Sequence, residues 1–282
     1  MIPPVVSPEW WQRHRDAVVL ADVRWYLDGR SGRAAYDEGH LPGAVFVDLD
    51  RWLAAHGSPE HGRHPLPDPE VFAEGMATLG IGDDDTVIAY DDAGGVNAAR
   101  LVWMLRVTGH PAALLDGGMA GYDGPLEQAA DRRDRATFTP RPWPEERLAD
   151  LTDATAAGNV VVDARDPARF RGEIEPVDPQ AGHIPGAVNL ACRTNVDADG
   201  RFLPADELRR RFEAIGVTER TSVVSYCGSG VTACHNLLAL ELAGLGPGRL
   251  YPGSWSQYSS DPERPVATGD EPPRGARVER PQ

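Results

Sequence analysis

The chain has 282 residues, 41% hydrophobic and 25% charged, with 25 Pro and 30 Gly, which is the make-up of a soluble, turn-rich globular protein long enough for two domains. A net charge of −15 argues against a nucleic-acid surface, which needs clustered positive charge, and the absence of any Lys excludes Schiff-base chemistry and lysine phosphate loops. No run of about 18 apolar residues and no basic-then-apolar leader occurs, so the expected location is the cytoplasm, with no membrane partner.

Ala17-Val18-Val19-Leu20-Ala21-Asp22-Val23-Arg24 is a short apolar run ending in charge, as a buried parallel strand would read. A turn, Gly39-His40-Leu41-Pro42-Gly43-Ala44-Val45, follows. Thr86-Val87-Ile88-Ala89-Tyr90-Asp91 is the next strand; it enters a Gly-containing loop and then a helix over Ala98 to Thr108, closed by Gly109. Ala113-Leu114-Leu115-Asp116-Gly117-Gly118 is a further strand signal. The second half then repeats this order: Asn159 to Arg165, Gly182-His183-Ile184-Pro185-Gly186-Ala187-Val188, Ser222-Val223-Val224-Ser225-Tyr226-Cys227, a helix over Ala233 to Ala243 closed by Gly244, and Arg249-Leu250-Tyr251-Pro252-Gly253. Strands alternating with helical segments predict an α/β fold, each half a mainly parallel sheet with helices on both faces. The expected division is a first domain over 1–123, a Pro- and charge-rich linker over 124–150 and a second domain over 151–282. The tail after Asp261, with five Pro, is expected to be loosely held.

The loop Cys227-Gly228-Ser229-Gly230-Val231-Thr232-Ala233 lies at the carboxyl end of a strand, where ligands bind in open α/β sheets. Its two glycines allow successive backbone N–H groups to curl inward, and the following helix adds the positive end of its dipole. Such surroundings favour the thiolate, the nucleophilic form, and would equally favour a persulfide anion. Cys192 and Cys234 have no comparable cradle and are expected to fill core or loop space. Three cysteines without a Cys-x-x-Cys pair make neither a disulfide framework nor a zinc site.

The turn at Gly182, the loop at Cys227 and Gly253-Ser254-Trp255-Ser256 together resemble the tandem rhodanese-domain sulfurtransferases, in particular the 3-mercaptopyruvate type, over about residues 7 to 270. That resemblance implies two tandem rhodanese-like domains, the first inactive because Asp91 stands in the place of Cys227. It implies that sulfur passes from a small-molecule donor, 3-mercaptopyruvate in preference, through a Cys227 persulfide to a thiol such as thioredoxin or a low-molecular-weight thiol, or to cyanide. Ser229, with His64 and Asp50 from the first domain, would assist proton movement, and Arg169 would bind the donor's carboxylate beside Gly228, Gly230, Val231 and Thr232. No metal or organic cofactor is implied. One departure stands out: where a second Arg is usual about nine residues after the first, this chain reads Pro176-Val177-Asp178-Pro179, which is expected to weaken carboxylate binding.

From the residues alone, His64 beside Pro65 could serve only to close a loop, Asp50 only to cap the segment beginning Arg51-Trp52, and Ser229 only as a small loop residue. A phosphatase relative would need an Arg at the end of the Cys loop, and Val231-Thr232-Ala233-Cys234-His235 has none. A thiosulfate:cyanide sulfurtransferase activity, or service as a noncatalytic binding module, would also be compatible with the same fold.

Overall fold

The computed structural model describes residues 2–128 and 133–270. The first half runs β1 (Val5–Val6), α1 (Pro8–His14), β2 (Val18–Asp22), α2 (Gly32–Glu38), β3 (Val45–Phe46), α3 (Pro69–Thr78), β4 (Thr86–Tyr90), α4 (Ala98–Val107) and β5 (Ala112–Leu115). The second runs α5 (Leu151–Thr155), β6 (Asn159–Asp163), α6 (Pro167–Phe170), β7 (Val188–Asn189), α7 (Ala205–Ala214), β8 (Ser222–Tyr226), α8 (Ala233–Leu242), β9 (Arg249–Leu250) and α9 (Ser254–Tyr258). Each half builds one sheet, in the orders β1-β5-β4-β2-β3 and β7-β6-β8-β9, and all the paired strands are parallel. Successive side chains go to opposite faces: Val19, Ala21, Val87 and Ala89 join one core, and Leu20, Ile88 and Tyr90 the other. Both faces are covered, so the strands read as continuous apolar runs rather than as alternation.

The repeated motifs have a shared structural cause. At the end of β2 the carboxylate of Asp22 pairs with Arg24, whose Nη2 donates to the carbonyl of Gly39 at 2.8 Å; at the end of β6, Asp163 pairs with Arg165, whose Nη2 donates to Gly182 O at 2.7 Å. His40 stacks on Tyr36 and His183 on Phe170, and each histidine's Nδ1 lies 2.7–2.8 Å from the carbonyl of the residue on which it stacks. The Gly-His turn is therefore an anchor between a strand end and a helix, and its histidine is buried in both halves.

The two halves share a core. Leu101, Val102 and Leu105 of α4 and Cys234, Leu237 and Leu238 of α8 belong to one buried cluster, and Arg106 pairs with Glu241 across the same seam. Between the halves, the segment from Arg133 to Ala149 runs without regular structure except for a 3-10 turn at Glu145–Arg147: Ala136 N donates to Ala77 O, Trp143 Nε1 to Pro67 O, and Leu148 bridges Leu250 at the edge of the second sheet. The expectation of a loose tail is corrected for residues 262–270, because Ala267 makes a two-bond bridge with His183 and Gly269 N donates to Arg171 O. The remainder of that tail lies outside the described residues. Among the described residues no helix is long and apolar enough to cross a membrane.

Candidate active site

The loops that follow β4 and β8 lead into the helices α4 and α8, which pack together in the shared core. In the second domain Cys227 follows Tyr226 and is 2% exposed. The loop turns back on it at Gly230, whose φ of 78° is a left-handed value suited to glycine and whose N–H donates to Cys227 Sγ at 3.1 Å. A side chain at Gly230 would also strike the Pro252 carbonyl, 2.6 Å from where its Cβ would lie. Cys227 N donates to Ser254 Oγ at 3.2 Å, and the carbonyls of Cys227 and Gly228 accept from Trp255 N and Ser256 N, so α9 fastens the loop from outside.

The first domain carries the equivalent loop with a carboxylate in it. Asp91 is fully buried and accepts four backbone N–H bonds, from Ala93 and Gly95 at 2.8 Å each on Oδ1, and from Asn97 at 2.7 Å and Ala98 at 3.0 Å on Oδ2. Burial is the largest influence on this carboxyl and pushes its pKa up, while the four donors oppose it. The loop is thus an anion cradle in the domain where the anion is built into the sequence.

A cleft of about 460 Å³ opens over Cys227, lined by Trp25, Arg63, Arg169, Gly228, Ser229 and Thr232 among others. Ser229 Oγ lies 2.7 Å from His64 Nδ1, a contact between residues of different domains. His64 Nε2 is 3.5 Å from Asp50 Oδ1, and Asp50 is held in a π-helical turn (Leu49–Leu53) by Trp25 Nε1, which donates to both carboxylate oxygens at 3.1 and 3.0 Å. The carboxylate beside Nε2 favours the tautomer with its proton there, leaving Nδ1 to accept from Ser229. Burial, with the charges of Arg100 and Arg63 behind it, lowers the His64 pKa to about 4, so its ring is neutral near pH 7. The three residues expected from the sequence to act together do meet. Val231 packs into the shared core and Thr232 stands at the start of α8.

Cys192 and Cys234 are buried, and burial pushes both thiols up to about 12. Cys234 Sγ points to Gly230 O at 3.5 Å.

Arg169 is in the cleft wall, but much of its guanidinium is taken: Nη2 meets Glu175 Oε1 at 2.5 Å and Asp178 Oδ2 at 3.1 Å, and Nε meets Glu175 Oε2 at 3.3 Å. Two arginines that sequence reasoning did not single out are also present. Arg63 reaches from the first domain to pair with Asp178. Arg100, with no exposed surface, donates from Nε to Leu53 O, from Nη1 to Gly230 O and from Nη2 to His64 O at 3.2, 2.9 and 3.1 Å. It ties the Cys loop and the His64 segment to one guanidinium. Its signal in the sequence is a charged residue inside the apolar helical run Ala98 to Val107; that of Arg63 is only its place next to His64.

Comparison with known proteins places the chain in a family. The family model "Rhodanese-like domain" matches residues 7–124 and again 146–261. A Pseudomonas aeruginosa protein named "Probable 3-mercaptopyruvate sulfurtransferase" is 45% identical over 271 residues, covering 90% of this chain and 93% of that one. A Mycobacterium tuberculosis protein bearing the name of a thiosulfate sulfurtransferase is 40% identical over 262 residues, covering 90% and 92%. The crystal structure of a 3-mercaptopyruvate sulfurtransferase from Escherichia coli superimposes with a TM-score of 0.80 at 35% identity, covering 90% of this chain and 100% of that one.

Proposed function

The chain belongs to the rhodanese family, as a sulfurtransferase built of two rhodanese-like domains, and we propose that it takes sulfur from 3-mercaptopyruvate as a persulfide on Cys227. The observation that carries the donor assignment is the contact between Ser229 and His64 at 2.7 Å, beside a sulfur cradled by Gly230 N–H. The Cys227 thiolate attacks the donor's sulfur, the carbon–sulfur bond breaks, and the electron pair leaves on C3 of the pyruvate enolate. The proton that was on the donor's thiol must reach that carbon. Ser229, hydrogen-bonded to a neutral His64 that Asp50 orients, offers a route for it.

The sulfur anion that remains extends further into the loop, one S–S bond of about 2.05 Å beyond Sγ. Asp91 is the precedent for how it is held, since its Oδ2 meets the N–H groups of Asn97 and Ala98, and the matching positions of the active loop are Thr232 and Ala233. A thiol, such as thioredoxin or a low-molecular-weight thiol, then takes the terminal sulfur, so the cycle is a double displacement. Its place of work is the cytoplasm, in keeping with three free cysteines, and neither nucleic acid nor membrane takes part.

Thiosulfate is the second donor to weigh, given the name of the Mycobacterium tuberculosis relative. Its second negative charge would need basic groups just after the cysteine, where this chain has Gly228 and Ser229. The test is kcat/KM for both donors with one thiol acceptor, repeated in Ser229→Ala. A clear preference for 3-mercaptopyruvate that Ser229→Ala selectively erases is expected; thiosulfate better by about tenfold, or both donors slowed equally, would refute the assignment.

A further inference from the structure

We propose that Arg63, supplied by the first domain, grips the donor's carboxylate together with Arg169, and that Asp178 is the positioning residue that sets the two guanidiniums side by side. The proposal rests on a carboxylate-bearing donor, as proposed for Cys227. Asp178 stands where the sequence led us to expect a weakened pocket. Its side chain is only 2% exposed, and it is spent on the two arginines: Oδ1 takes Arg63 Nη1 and Oδ2 takes Arg169 Nη2 at 3.1 Å. One carboxylate, one oxygen per arginine, thus holds the two guanidiniums next to each other.

Their other edges converge on the loop that bears the nucleophile. A methyl group on Gly228 would lie 2.9 Å from Arg63 Nη2 and 3.6 Å from Arg169 Nη1, and neither nitrogen has a hydrogen-bond partner among the described residues. Two guanidinium nitrogens with unspent N–H groups, adjacent to the residue after Cys227, match a planar two-oxygen acceptor. Within this network of ion pairs the charges balance, since Arg63, Arg165 and Arg169 face Asp163, Glu175 and Asp178. Recognition would come from directed hydrogen bonds and not from net charge, which favours a monoanionic carboxylate over a dianion. Arg63 itself is held from behind, as its backbone N–H donates to Ser256 Oγ at 3.0 Å, and it directly precedes His64. One segment of the first domain therefore brings both the carboxylate grip and the proton acceptor.

The experiment compares two anionic donors, 3-mercaptopyruvate and methanethiosulfonate, which has no carboxylate and leaves as methanesulfinate when its S–S bond breaks. Both are run with one thiol acceptor on the wild type, Arg63→Ala, Arg63→Lys, Arg193→Ala and Arg63→Ala/Asp178→Arg. We expect Arg63→Ala to raise KM for 3-mercaptopyruvate about tenfold or more, with at most about a threefold change for methanethiosulfonate, and Arg63→Lys to fall between. The double variant, which returns a guanidinium from the second domain, is expected to recover most of the loss. The proposal is overturned if Arg63→Ala moves both donors alike or leaves KM for 3-mercaptopyruvate within about twofold. It also falls if Arg193→Ala, which removes an exposed cation of the same cleft, carries the loss instead. Wild-type enzyme that turns over methanethiosulfonate but not 3-mercaptopyruvate would defeat the donor assignment and this proposal with it, an outcome visible before any variant is made.

Discussion

Asp91→Asn separates the structural part of the first-domain loop from any direct share in the chemistry. The carboxylate satisfies four buried N–H groups, two on each oxygen. An amide keeps one oxygen, so two donors lose their acceptor and face an NH2 group instead. Leaving a buried donor unsatisfied costs ~1–3 kcal/mol, and relief from burying a charge returns part of it, so the net loss is about 2–4 kcal/mol. The domains share a core, so the readout is a shift in Tm rather than a two-state free energy. At ~2–4 °C per kcal/mol the expected fall is about 5–15 °C. Scanning fluorimetry measures it, and kcat at about 20 °C, where the variant is still folded, should stay within about twofold of wild type because the Asp91 carboxylate bonds only to backbone N–H groups of its own loop. A Tm within about 2 °C of wild type would show that the cradle does not depend on a carboxylate. A kcat loss above about tenfold would show that the first-domain loop takes part in turnover.

The remaining predictions concern the seam between the domains. With a folded pKa of about 4 against 6.5 when unfolded, His64 contributes stability that is present above about pH 6.5 and is lost as pH falls toward 4. Over pH 6.5 to 5 that is roughly 2 kcal/mol at 1.36 kcal/mol per unit, so the Tm of wild type should fall more over this range than that of His64→Gln; equal falls would contradict it. The same shift keeps the His64 ring neutral in mild acid, so an acid limb near pH 6.5 in kcat/KM for 3-mercaptopyruvate cannot come from this residue, and one abolished by His64→Gln would refute the assignment. Arg100→Lys cannot reach three carbonyls at once, so kcat should fall about tenfold or more while Cys227 remains alkylatable; kcat within about twofold would remove Arg100 from the positioning apparatus.

The duplicated strand, turn and loop were legible in the sequence because each is local: a run of apolar residues, an Asp-x-Arg end, a Gly-His turn, a loop with two glycines. The contact of Ser229 with His64 followed from family resemblance, not from spacing, since the partners lie 165 positions apart. The pairing of Arg63 with Asp178 spans 115 positions and two domains, and nothing in either neighbourhood announces it. Asp178 read as a missing base for that reason, although it is occupied in holding one. β1 is two residues long, too short to show a period, and gains its place only by pairing with β5. The segment 262–270 looked loose by composition because Pro and charge say nothing of the carbonyl and N–H that His183 offers it.

The central claim is that sulfur rides on Cys227. Intact-protein mass spectrometry after brief incubation with 3-mercaptopyruvate and no acceptor, followed by peptide mapping, tests it most directly. We predict one added sulfur atom per chain on the peptide containing Cys227, lost on adding a thiol, retained in Cys192→Ser and Cys234→Ser, and absent in Cys227→Ser. Added sulfur that persists in Cys227→Ser, or that maps to Cys192 or Cys234, would contradict the account.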